Sequence, residues 1–370
     1  MRLIPISLFF IVFISFFSTA QELNIQTNGR TILGTYEERT ASVSTGDIDG
    51  DGDIDIMLAN GRHWPGQNRI FINNGRGVFT VERNLGEDRA TTYAAEMADF
   101  DGDGDLDVAV GNDMAPNYIF LNNGDGRFSK GESFGDKYAP TRNISVADLD
   151  NDGDVDILIT NRGRPNQICF NDGSGGFSKT SEFGTNSDST IDVEVADMNN
   201  DGFVDLILAN RDEQQNYVLI NNGKTEFEER IPFGTGKDNT RAVAIGDVNN
   251  DGYADILCAN IQEANRVYLG SAEHNFERSI IFDESEDASF SLSLADLNGD
   301  GMQDVIVANN RSKNRVFINA ESGTKWLPVD LADETFSTYD IIAADLNNDG
   351  LMEIIEANSD AINRYYRIRK

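Results

Sequence analysis

Polar and apolar residues alternate along this chain in short stretches that recur on a fixed period. In Thr141-Arg-Asn-Ile-Ser-Val-Ala147, Ile144 and Val146 fall on one face of an extended segment. An acidic loop follows, then an apolar run from Val155 to Thr160 that stops at Asn161. A third stretch begins at Asn166, and a Gly-rich turn at 172–176 leads to a fourth around Phe177. This pattern returns seven times at intervals of 49–52 residues. Each copy opens on a hydroxyl residue: Thr40, Thr92, Thr141, Thr190, Thr240, Ser289 and Thr338. Each second stretch ends on an Asn: Asn60, Asn112, Asn161, Asn210, Asn260, Asn309 and Asn358. Four short antiparallel strands per repeat, with no helical period, predict an all-β, seven-bladed β-propeller of four-stranded antiparallel blades. A parallel β-helix would need shorter repeats.

The last repeat stops after its third strand, at 363–370. The segment 23–33 carries Leu33-Gly34 where other copies have Phe134-Gly135 or Phe183-Gly184 at the end of a fourth strand. The N-terminal strand is therefore expected to complete the last blade and cover its open edge.

The loop between the first two strands reads Asp-x-Asp/Asn-x-Asp-Gly-x-x-Asp. Its side-chain oxygens come from Asp47, Asp49, Asp51 and Asp55; Asp99, Asp101, Asp103 and Asp107; and Asp148, Asp150, Asp152 and Asp156. From the fourth copy onward an Asn takes the third position: Asp197, Asn199, Asp201 and Asp205; Asp247, Asn249, Asp251 and Asp255; Asp296, Asn298, Asp300 and Asp304; Asp345, Asn347, Asp349 and Glu353. Hard oxygen donors of this number, around a turn opened by Gly, suit Ca²⁺. Up to seven structural calcium ions are expected, with tighter binding where all four donors are Asp. An EF-hand is excluded by apolar residues such as Leu58 and Val110 where its bidentate Glu would stand, and by flanking strands.

Charge supports this reading. The chain carries 30 Lys and Arg against 63 Asp and Glu, a formal net charge of −33. Nucleic acids and anionic membranes are poor partners for such a surface. Much of the acidity is accounted for as metal ligand. Residues 1–20 have a basic start, an apolar run and a small-residue exit at Ala20, the pattern of a secretory signal peptide. The expected product is a secreted or periplasmic monomer, residues 21–370, without membrane insertion. The two cysteines, Cys169 and Cys258, align with core positions of other repeats.

The acidic loop, its spacing and the recurring Phe/Leu-Gly pair resemble the FG-GAP/VCBS repeat family over essentially the whole length after residue 20. Asp283 and Ala332 depart from the pair, and the Gly-Ala-Pro element is missing. The resemblance implies integrin-α-type propellers with calcium in the hairpins and ligand binding on the opposite face. It also spans adhesion modules, sugar-binding lectins, and sugar-active lyases or dehydratases, so it leaves function to the site.

Function is sought where one copy departs from the others. Asn60 and Asn68 are eight residues apart, against five or six elsewhere. The extra loop, Gly61-Arg-His-Trp-Pro-Gly-Gln67, holds one of two His and one of two Trp in the chain. Blade topology puts it opposite the acidic loops, beside the connections that carry Tyr36, Arg39 and Arg89. Arg39, Trp64 and Arg89 are candidate ligand-binding residues, since Arg binds carboxylate or sulfate and Trp stacks on sugar faces. The main expectation is recognition of an extracellular ligand, an acidic carbohydrate or a protein. The alternative is a carbon–oxygen lyase or dehydratase acting on uronic-acid oligosaccharides. There Arg62, Arg39 or Arg89 would neutralise the enolate, His63 act as base and Tyr36 as acid. A structural or adhesion role is a third class.

Overall fold

The computed structural model describes residues 23–27 and 30–369; the signal-peptide reading at 1–20 lies outside them. Seven antiparallel sheets follow one another around a ring, each with its first strand innermost. Blade one comprises Thr40–Gly46, Asp55–Asn60, Arg69–Ile72 and Val81–Asn84. Blades two to six repeat this order, beginning at Thr92–Ala98, Thr141–Ala147, Thr190–Ala196, Thr240–Gly246 and Ser289–Ala295. Blade seven contains Ser337–Ala344, Glu353–Ser359 and Asn363–Arg369. Both Asn24–Gln26 and Ile32–Leu33 pair antiparallel with its third strand, Asn24 opposite Arg369 and Leu33 opposite Asn363. The outer edge of the last blade is thus covered by the N-terminal segment, as expected.

The second strands are buried end to end because each is sandwiched between sheets on both sides. Apolar clusters sit between neighbouring blades. Val43, Ile56 and Leu58 of blade one meet Ile355, Ala357 and Tyr365 of blade seven. On its other side, Met57, Ala59 and Ile70 meet Ala95, Val108 and Phe120 of blade two. Cys169 and Cys258 are both free and buried in such clusters, as their alignment with core positions implied.

The recurring Asn and the opening hydroxyl, Thr or in one case Ser289, form a polar latch at every blade junction. Within blade one, Thr40 Oγ1 donates to Asn60 Oδ1 at 2.7 Å, and Asn60 N donates to Asn68 Oδ1 at 2.8 Å. Asn68 Nδ2 then donates to Thr92 Oγ1 of the next blade at 2.9 Å. A buried amide bonded through both its oxygen and its nitrogen fixes register while keeping both polar ends paired. At the opposite end, Asn122 Nδ2 donates to Ile48 O in the preceding blade's acidic loop at 2.8 Å. Asn171, Asn221 and Asn319 make the same bond to Phe100, Leu149 and Val248.

Candidate functional site

Two ends of the same strands carry two different chemistries. At one end lie the acidic hairpins. The first Asp of each turns inward: Asp47 Oδ2 accepts from Gly52 N at 2.9 Å. Gly52 has φ of +91°, which a side chain there would strain. The ninth residue is fully buried; Asp55 accepts from Ile48 N at 3.0 Å and Asn73 N at 2.7 Å. Burial nevertheless raises its carboxyl to about 6.

In blades one to three, three carboxylates converge: Asp47, Asp49 and Asp55; Asp99, Asp101 and Asp107; Asp148, Asp150 and Asp156. Their nearest oxygens lie within 4.8 Å of one another. The fifth residues, Asp51, Asp103 and Asp152, instead accept from the backbone two residues on at 3.0–3.1 Å. Asp49, Asp101 and Asp150 each keep a buried Oδ1 that has no hydrogen-bond partner among the described residues. Three crowded carboxylates with an orphaned buried oxygen fit a hard cation. The later hairpins differ. Asn199, Asn249 and Asn298 donate Nδ2 to Asp201, Asp251 and Asp300 at 2.9–3.0 Å, and Asn347 donates to Glu353. Those loops satisfy part of their own charge. Asp197, Asp247, Asp296 and Asp345 hold the loop backbone as Asp47 does. Asp205, Asp255 and Asp304 are buried in the same way as Asp55, and Asp349 caps Leu351 N at 2.9 Å.

At the other end the extra loop of blade one is docked firmly on blade two. Gly66 and Ala90 exchange backbone hydrogen bonds at 2.8 and 2.9 Å, and Arg89 Nε donates to Pro65 O at 3.1 Å. A Cβ on Gly61 would come within 2.2 Å of Ala90 O, so this approach needs glycine. Arg62 takes a left-handed conformation, φ 57°. Its guanidinium stacks on Tyr339 of blade seven, 4.1 Å from the ring centroid.

His63 has a partner on each ring nitrogen. Nε2 lies 2.8 Å from the Tyr93 hydroxyl, and Nδ1 lies 2.8 Å from Asp113 Oδ2. Asp113 Oδ1 accepts from Arg142 Nη1 at 2.7 Å, and the Arg142 guanidinium stacks 4.5 Å above the Tyr93 ring. Around the same opening, Arg241 lies 5.5 Å from the Phe290 ring, which meets Tyr339 edge-on at 5.0 Å. Tyr93, Arg142, Arg241, Phe290 and Tyr339 all line the central channel, a cavity of about 640 Å³. Deeper in, the wall turns acidic with Glu96, Asp192, Glu194 and Asp340. Burial and mutual repulsion raise Glu96 to about 8 and Glu194 well above the ordinary carboxyl range. Asp192 is raised less, to about 6, by burial opposed by its bond from Val243 N and by Arg241.

The expected rim residues therefore divide. Arg62 and His63 contact two rings that line the channel, Tyr339 and Tyr93. Trp64 stands exposed on the rim, with Arg39 5.7 Å from its ring. Arg39 Nε is engaged by Asp360 at 3.0 Å, and Arg89 braces the loop backbone. Tyr36 does not join His63: it lies under Arg69, 4.5 Å from ring centroid to guanidinium. The tyrosine at His63 is Tyr93. Tyr93, Arg142, Arg241, Phe290 and Tyr339 share one signal that sequence reasoning passed over. Each directly follows the opening Thr or Ser of a repeat, where other copies have Ala41 and Ile191. A fold position has no need of Arg or aromatic residues there.

FG-GAP-like repeats match residues 47–110, 99–159, 148–208, 197–258, 247–307 and 296–355. The chain belongs to the FG-GAP-like repeat family. Each matched FG-GAP unit runs from one acidic hairpin into the second strand of the next blade, so the family signature spans the blade junctions. No curated protein sequence matches this chain. Among solved structures, BBS1N in complex with ARL6DN, soaked with lead, is similar at a TM-score of 0.61 and 13% identity, over 92% of this chain and 95% of that one. The same complex soaked with mercury gives 0.60 and 12%, over 90% and 92%. At that identity the likeness is one of fold. For an FG-GAP propeller it leaves the chemistry of the mouth to the residues that line it.

Proposed function

We propose that this protein is an exported, calcium-binding propeller that recognises a carboxylate-bearing carbohydrate at its channel mouth. One observation carries the reading. On a chain of net charge −33, the guanidinium groups of Arg62, Arg142 and Arg241 meet the rings of Tyr93, Phe290 and Tyr339 around one opening. Guanidinium recognises carboxylate through paired N–H donors, and flat rings cover the apolar face of a sugar. Exposed Trp64 extends that platform outward. Ca²⁺ in the hairpins would rigidify the far end of each blade and leave the mouth free.

Titration calorimetry with oligogalacturonate, oligoguluronate and a neutral oligosaccharide of equal length tests this. Acidic ligands bind and neutral ones do not; Arg142→Ala weakens binding at least tenfold. Equal affinity for neutral and acidic sugars would sink the reading. The solved neighbours hold a protein partner, ARL6DN, so a protein ligand is the rival outcome. It would show as binding to an acidic polypeptide that oligouronates fail to displace.

A second reading makes the same mouth an elimination site for uronic-acid oligosaccharides. It is favoured by His63, held at the opening beside Arg62 with hydrogen-bond partners on both nitrogens.

A further inference from the structure

The elimination reading of the mouth leaves open which group moves the proton, and the following rests on that reading. We infer that Tyr93 is the catalytic residue, its hydroxyl exchanging a proton with substrate through His63 and Asp113. The substrate class is a sugar acid whose carboxylate lies next to the C–H bond that breaks.

The hydrogen bonds give the chain a direction. An ionised carboxylate only accepts, so the proton between Asp113 and His63 sits on Nδ1. In the neutral ring, Nε2 is then an acceptor, and the Tyr93 hydroxyl donates to it. Both nitrogens of His63 are occupied, so His63 meets substrate poorly as a base. The Tyr93 oxygen keeps free lone pairs, and the residue lines the channel with Arg142, Arg241 and Tyr339. Burial raises the Tyr93 phenol above its usual range, which the nearby Arg142 opposes. A free phenolate is therefore scarce, and the ring needs a partner to take its proton at the moment of reaction. The imidazolium formed on His63 is stabilised by Asp113, the part a buried carboxylate plays behind a catalytic His.

The step balances without any co-reactant. The proton next to the sugar carboxylate moves to Tyr93 Oη as the phenol's own proton passes to His63 Nε2. The electron pair left on carbon forms a C=C bond, and the C–O bond at the neighbouring carbon breaks. The departing oxygen takes the proton from Tyr93, and His63 returns its proton to the phenolate. Arg62, stacked on the channel-lining Tyr339, is the cation assigned here to the substrate carboxylate. Its only carboxylate partner among the described residues is exposed Asp360, at 3.9 Å.

The test compares wild type, Tyr93→Phe, His63→Ala and Tyr36→Phe on 4-linked oligouronates, following absorbance of the unsaturated product. Tyr93→Phe should lose about 10²–10⁴ in kcat with a smaller change in KM, at an unaltered melting temperature. His63→Ala should retain a residual rate that climbs with pH as the phenol ionises unaided, and Tyr36→Phe should match wild type. If Tyr93→Phe keeps a tenth or more of kcat while His63→Ala is dead, His63 is itself the base. The inference then falls while the elimination reading stands. No unsaturated product from wild type on any oligouronate overturns both. Independently of turnover, ¹⁵N shifts of His63 should show the Nδ1–H tautomer; the Nε2–H tautomer would rule out the relay.

Discussion

Asn363 Nδ2 donates to Thr40 Oγ1 at 2.9 Å across 323 residues of sequence, joining the last blade to the first. It is the same latch that joins blade one to two through Asn68 and Thr92, and blade six to seven through Asn314 and Thr338. Ring closure thus uses the junction chemistry of every other blade, reinforced by Asp340 Oδ2, which accepts from Val43 N at 2.9 Å.

Breaking this latch should loosen the ring. Asn363→Ala leaves the Asn358 backbone N–H buried without its partner, at a cost of about 1–3 kcal/mol, and removes the bond that Thr40 Oγ1 accepts, although Thr40 still donates to Asn60. Thermal melts should show a fall of several degrees. Deleting residues 23–33 should cost more, because the third strand of blade seven then becomes an open edge. A truncated protein that melts with the parent would contradict closure by the N-terminal segment.

Calcium should raise the melting temperature, and chelator should lower it, since binding energy to the folded state adds to stability. The hairpins should not contribute equally. Asp49→Asn should weaken calcium binding, yet stabilise the metal-free protein by removing an unpartnered carboxylate and permitting the Asn–Asp bond seen at Asn199 and Asp201. Calorimetry and melts with and without chelator check both halves. If Asp49→Asn destabilises the chelated protein, the account of the two hairpin classes is wrong.

The pH dependence should reverse with metal. Burial raises Asp55, Asp107, Asp156, Asp205 and Asp255 to about 6, and Asp304 to about 7. A raised carboxyl means that the metal-free folded protein holds protons which the unfolded chain releases. Their contribution is therefore present below about pH 4 and is lost as pH rises through 6 to 7. Calcium binds the ionised form, so the loaded protein should instead lose stability as pH falls through the same window. Melting temperatures at pH 5 and 8, with calcium and with chelator, should cross. Parallel trends would mean that these carboxyls do not titrate with the metal.

Replacing His63 and Trp64 together by Ala should leave the melting temperature nearly unchanged, because both side chains stand largely open to solvent. Binding of an oligouronate should fall at least tenfold. Loss of Trp64 alone should act on affinity, and loss of His63 on turnover. Normal binding and activity in the double variant would place the site away from this rim.

The fold and the acidic hairpins were legible in the sequence because each depends on local pattern repeated seven times. Strand alternation, the Gly that opens each turn and the Asp spacing act within about fifteen residues, so one copy explains the others. The recurring Thr and Asn were visible too, but not their purpose, since Asn68 meets Thr92 only across a blade junction. The mouth was legible in part. An insertion in one repeat drew attention to Arg62 and His63, yet the sequence could not choose their neighbours. Tyr36 is nearer to His63 along the chain than Tyr93, but Tyr36 packs under Arg69 while Tyr93 points to His63. That choice was made by ring closure. Only when seven first strands converge on one axis do residues from blades two, three, five and seven face a common opening, as Tyr93, Arg142, Arg241 and Tyr339 do, with Arg62 of blade one stacked on Tyr339.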